Sequence, residues 1–167
     1  SAHMASILSQ NPVWLARHKG RYGHFHTTSW NVDWLADLEH RDRLVGVWST
    51  TCEAVAREFE PGTGRAIDRI DAARKCQEMG IPVRLKFKPT IPIRNWREEY
   101  AAILEETLKR VQPESVGFGL YMWNTFDSMA GALGLEKLDP EYVEEARKAA
   151  GEMKDVRTGP FPHRVRA

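Results

Sequence analysis

At 167 residues, 42% of them hydrophobic, the chain can bury one proper core and is too apolar to be a disordered segment. A formal net charge of +1 argues against a general polyanion binder while leaving room for a local basic site. No apolar run approaches a membrane span and no signal peptide is visible, so the two cysteines, Cys52 and Cys76, are expected to be free thiols in a reducing cytoplasm.

Ser1-Ala2-His3-Met4 reads as a vector-derived scar, which leaves residues 5–167 as a single domain. Ser9 can cap a leading helix over residues 12–18, with Gly20 after its end. Residues 23–28 are a strand candidate. Residues 32–38 then look helical, with Val32, Leu35 and Leu38 on one side. His40, Arg41, Asp42 and Arg43 form a solvated loop before the next strand at residues 44–50. Phe59-Glu60-Pro61-Gly62-Thr63-Gly64 is a turn, and Thr63 is placed to cap the helix after it. Ile67, Ile70, Ala73 and Met79 give that helix an apolar face, and Gly80 can close it in a left-handed conformation. Residues 83–88, VRLKFK, alternate apolar and basic and are the clearest strand in the chain. Asn95 starts a helix whose stripe is Tyr100, Ile103, Leu104, Thr107, Leu108 and Val111, with Glu105 and Lys109 paired outside. Residues 116–123 are a further strand. Asp139 caps and Pro140 opens the last helix, lined by Val143, Ala146, Ala150 and Met153.

The fold class is therefore α/β, with about four βα units after a leading helix. Both an open doubly wound sheet and a partial parallel (β/α) barrel fit that order. Neither a dinucleotide fingerprint nor a Walker loop follows any strand.

Alternation separates the two faces of each strand. His24, His26 and Thr28 share a face, as do Arg84, Lys86 and Lys88, and as do Gly117, Gly119, Tyr121 and Trp123. A central parallel strand is normally apolar on both sides, so a basic face suits a barrel lumen holding a polar or anionic ligand. It equally suits an edge strand guarded by lysines. On the lumen reading, Thr28, Ser49, Lys88 and Trp123 lie at strand ends, where ligands of parallel α/β folds bind, and His26, Lys86 and Tyr121 lie nearby. His24 and His26 lack a third ligand at fixed spacing, so no metal is expected. No nucleophile–base arrangement can be assembled, so no catalytic residue is assigned. Cys52, just past a strand end, is the one candidate reactive thiol.

The segments TTSWNVDWLADLEH, VGVWSTTCEAVAREFEPGT and IPVRLKFKPTIPIRNWREEY, with the tail GPFPHRVRA, resemble the second half of the spore photoproduct lyase family of radical SAM proteins. The resemblance implies a fragment of a partial barrel, and chemistry in which a [4Fe–4S] cluster cleaves S-adenosylmethionine to give a hydrogen-abstracting radical. The precedent is repair of a thymine dimer in DNA by a lyase. The family's CxxxCxxC cluster motif is absent, so the cluster is expected only from a missing N-terminal part, and this chain alone is expected to be inactive. By position, Ser49 matches a serine that contacts the SAM, Thr28 stands near a cofactor-contacting lysine, and Lys88 falls where the next strand meets the adenosine. His26, Lys86, Tyr121 and Trp123 are left to shape the substrate side. The expected partners are the missing half of the barrel or a second copy, with a DNA or nucleotide substrate. The rival expectation is a cluster-free barrel remnant acting as a nucleotide-binding or oligomerising module.

Overall fold

The structure, a computed structural model, describes residues 17, 20–120 and 125–152. Its centre is a parallel sheet of four strands in sequential order: β1 (Gly23–Thr27), β2 (Leu44–Thr50), β3 (Val83–Thr90) and β4 (Ser115–Leu120). Five helices are described: α1 (Glu53–Phe59), α2 (Ala66–Glu78), α3 (Trp96–Arg110), α4 (Phe126–Leu133) and α5 (Pro140–Glu152). The first crossover carries only 3-10 turns, at Asp33–Asp37 and Arg41–Arg43, where the sequence pattern predicts a helix over residues 32–38. Buried Val32 and Leu35 still anchor that crossover. The leading helix over residues 12–18 lies outside the described residues apart from Arg17.

Strand pairing sorts the side chains into two layers. Phe25, Trp48, Val83, Leu85 and Phe87 point to one side and join Val55, Ile70, Ala73, Cys76 and Ile103 from the helices in a single core. Phe25 meets Trp48 edge to face at 5.5 Å, a favoured aromatic geometry. The Trp48 ring lies over Gly46, where a Cβ would fall 2.2 Å from Cζ3, so this strand position has room for no side chain. On the opposite side stand His24, His26, Lys86 and Lys88, all exposed, and half-buried Ser49 and Arg84. Val45 and Val47 of β2 lie buried between them.

A doubly wound sheet changes strand direction of travel and wears helices on both faces. Here the order runs straight through, and α1, α2 and α3 contribute to the core on one face, which is the architecture of a partial (β/α) barrel. The edge-strand reading of VRLKFK also fails, because β3 is hydrogen-bonded to β2 on one side and β4 on the other. Its basic face is the open inner face of the sheet.

Local signals fare unevenly. The Asp139 carboxylate accepts from the Tyr142 amide at 2.9 Å, as a cap should. Thr63 caps nothing; its hydroxyl donates to the Glu60 carbonyl at 2.7 Å, and Glu53 of α1 takes the Ile67 amide at the start of α2 instead. Within the stripe of α3, Leu108 is 55% exposed while Tyr100, Ile103, Thr107 and Val111 are buried. Lys109 faces Glu106 at 3.9 Å rather than Glu105.

Candidate functional site

A groove of about 740 Å³ opens at the carboxyl ends of β1 and β2, between the loop after β1 and the loop joining α1 to α2. The first wall turns on hydroxyls. The Thr27 side chain accepts from the Ser29 amide at 2.9 Å, and the Ser29 side chain from the Asn31 amide at 3.2 Å. The Trp48 indole, rooted in the core, donates to the Ser29 carbonyl at 3.1 Å and ties that loop to β2.

Opposite, Gly62 takes a positive φ of 83°, which lets the Glu60–Gly64 segment double back toward the sheet. Gly64 is buried against the Trp30 ring; a Cβ there would lie 2.5 Å from the ring's Cε3. Trp30 itself remains 54% exposed and lines the groove.

Arg69 of α2 holds this second wall. It is 1% exposed, and its guanidinium fans out to the Gly64 carbonyl (3.0 Å), the Ser49 carbonyl (3.4 Å), the Glu60 carboxylate (2.5 Å) and the Thr63 hydroxyl (2.7 Å). A buried charge is tolerated only with such partners. Sequence reasoning assigns Arg69 no role. The available signal is its position on the buried stripe with Ala66, Ile70, Ala73 and Cys76, where an arginine demands an acceptor.

His26, Thr28 and Ser49 are brought together along the groove. Lys86 is the register partner of Ser49 on the neighbouring strand, so it stands on the same open face but outside the groove. Lys88 stands two residues further along β3. Its chain lies across Gly119, where a Cβ would fall 2.7 Å from Cγ, and Lys86 passes 3.8 Å from the corresponding point of Gly117. The space opposite those glycines is thus occupied by lysine stems. Tyr121 and Trp123 lie outside the described residues.

Arg84 is neutralised by Glu114 at 2.9 Å, whereas Lys86 and Lys88 have no carboxylate within ion-pair distance among the described residues. Partial burial, then the charges of Lys86 and His24, hold His26 below its ordinary 6.5, so at neutral pH it is an uncharged imidazole that both donates and accepts. The Cys52 idea does not survive. Its thiol is fully buried, and burial, with a smaller push from Glu99, raises its pKa; a nucleophilic cysteine needs the opposite. Cys76 is likewise buried and pushed up to about 12, chiefly by burial and also by Asp33.

A family model described as "Spore photoproduct lyase" matches residues 2–127, a stretch that includes β1 to β4 and both walls of the groove. The spore photoproduct lyase of Bacillus subtilis (strain 168) is 32% identical over 92 residues, covering 55% of this chain and 27% of that protein. Among solved structures, a mutant spore photoproduct lyase with bound AdoMet and dinucleoside spore photoproduct superposes with a TM-score of 0.60. It is 23% identical, over 70% of this chain and 35% of that one. A spore photoproduct lyase complexed with dinucleoside spore photoproduct gives 0.58 at 24% identity, over 66% and 34%. The structural likeness is one of fold, and the chain spans about a third of the length of these solved relatives.

Proposed function

Because the chain belongs to the spore photoproduct lyase family, we propose that it supplies part of the AdoMet- and substrate-binding face of a radical SAM barrel. The observation that carries this reading is the groove at the carboxyl ends of β1 and β2, where Thr28 and Ser49 line one cavity. Parallel barrels bind their ligands at that end of the sheet. Ser49 and Thr28 hold AdoMet, with Lys88 at the far side of the open face. His26 and Lys86 meet the substrate, together with Tyr121 and Trp123. One solved relative carries AdoMet and a dinucleoside spore photoproduct and another the dinucleoside spore photoproduct, which supports a DNA-like substrate here.

AdoMet, when bound with a cluster, supplies a radical that abstracts hydrogen. The residues of this chain fit the cofactor and do not fit the cluster. A [4Fe–4S] cluster is held by several thiolates. This chain has two cysteines in all, both buried, on separate elements, and both with raised pKa. Cluster ligands must come from elsewhere, with the remaining strands of the barrel, from a longer protein or a partner. A cytoplasmic setting, where thiols stay reduced, suits that chemistry.

The same cysteines favour a second reading, a cluster-free module whose groove takes a nucleotide. One experiment separates the two. AdoMet is titrated into the ¹⁵N-labelled chain, and adenosine monophosphate in parallel. Shifts at Thr28, Ser29 and Ser49 with AdoMet alone support the cofactor reading. Shifts with the nucleotide alone support the module, and no shift at these amides with either ligand overturns both.

A further inference from the structure

The geometry points to Arg69 as a positioning residue of the groove, one that sets where the Trp30 ring stands for whatever the groove holds; as an effect on AdoMet it rests on the reading above. Three observations carry it. Arg69 is buried on α2, behind the groove wall and outside the set of residues that line the cavity, so it acts only through others. Its four acceptors belong to two different segments: Glu60, Thr63 and Gly64 from the loop, and Ser49 from β2. The loop is therefore fastened to the strand end that carries the Ser49 hydroxyl. Gly64, whose carbonyl Arg69 holds at 3.0 Å, is also the residue on which the Trp30 ring rests. Trp30 and Gly64 both line the cavity, so a shift of the loop reaches the groove through the ring that rests on it.

The planar guanidinium suits this task and an ammonium does not. Only a fork with five donors reaches a carboxylate, a hydroxyl and two carbonyls at once. Lysine in its place keeps the charge but loses the geometry, and methionine keeps the stem but leaves Glu60 without its cation. The proposal thus assigns a ranking, with Arg69→Lys intermediate and Arg69→Met severe.

The test uses the 167-residue chain and two readouts. The first needs no ligand: amide hydrogen exchange of residues 60–64 and the chemical shift of the Trp30 indole N–H. The second is AdoMet affinity by calorimetry. Arg69→Met is expected to lose the loop's protection, to move the Trp30 signal, and to weaken AdoMet by about tenfold or more. Arg69→Lys recovers part of each. Native exchange and an unmoved indole in Arg69→Met overturn the proposal, whatever AdoMet does. If Arg69→Met does not fold, Gly64→Ala serves, since it leaves Arg69 in place and drives a Cβ into the ring. An unmoved Trp30 signal in Gly64→Ala likewise overturns it. Should the unaltered chain bind no AdoMet, the cofactor reading falls, while the exchange and indole measurements still decide the role of Arg69.

Discussion

His26 and Arg69 show how differently two basic side chains behave on either side of one sheet. Arg69 is buried among acceptors, its guanidinium meeting the Glu60 carboxylate. His26 stands on the open face beside Lys86 and His24, whose charges add to partial burial in disfavouring protonation. A base whose pKa falls on folding is protonated only in more acid solution, and its protonation then works against the fold. NMR titration should accordingly place the His26 midpoint below 6.5, and Lys86→Met should move it upward. A midpoint at or above 6.5 would mean that neither burial nor the neighbouring charges act on His26 in this way, and an unmoved midpoint in Lys86→Met would mean that Lys86 does not face it. The cysteines give the complementary lesson. Cys52 follows a strand end in sequence, yet its sulfur points into the core formed with Val55 and Ile70.

Among the elements, α2 owes its start to a residue from another helix. Arg65 stands at its N-cap and its guanidinium donates to the Asp68 carboxylate, but it offers the first-turn amides no side-chain acceptor; Glu53 of α1 supplies one for the Ile67 amide at 2.8 Å. The carboxylate also opposes the positive end of the helix dipole. Replacing it, Glu53→Ala, should lower stability by about 1 kcal/mol. Urea unfolding with an unchanged m-value is the measurement, and a midpoint equal to that of the unaltered chain would show that water caps α2 equally well. The α1–α2 pair matters beyond stability, because the loop between them is the second wall of the groove.

For the whole molecule, the open face of the sheet decides what can bind. The formal charge of the chain is +1, but on this face Lys86 and Lys88 have no acidic neighbour within ion-pair distance among the described residues. If they meet the phosphates of a DNA-like substrate, binding must weaken as salt rises, by about 0.7 in logarithmic slope for each phosphate engaged on a single strand. Replacing both lysines by alanine should therefore flatten the salt dependence of oligothymidylate binding by about 1.4 in that slope, as read by fluorescence anisotropy over a salt series. An unaltered slope would remove both residues from the phosphate contacts. The face also bears on assembly, since β1 and β4 each present an unpaired parallel edge among the described residues.

What the sequence determined by itself was the direction in which each strand presents its chemistry. Period-two alternation in VRLKFK is a local property, and it correctly separates Val83, Leu85 and Phe87, all buried, from exposed Lys86 and Lys88. The Asp139-Pro140 pair likewise declares a helix start from adjacent residues alone. Family membership was legible too, in the segments up to Tyr100, which fall within the matched residues 2–127; the tail GPFPHRVRA lies beyond that match and outside the described residues. Tertiary structure alone decided which neighbour each face would meet. Alternation in β3 is the same for an edge strand and for a central one, and only pairing with both β2 and β4 distinguishes them. The stripe of α3 includes Leu108 by spacing, but no described element packs over it closely enough to bury it. Arg69 looked like one more charged helix residue, because its four acceptors are scattered from Ser49 to Gly64 and converge only when the loop closes against the sheet. Periodicity records which side of an element shuns water; it carries no record of the distant groups that chain folding brings to that side.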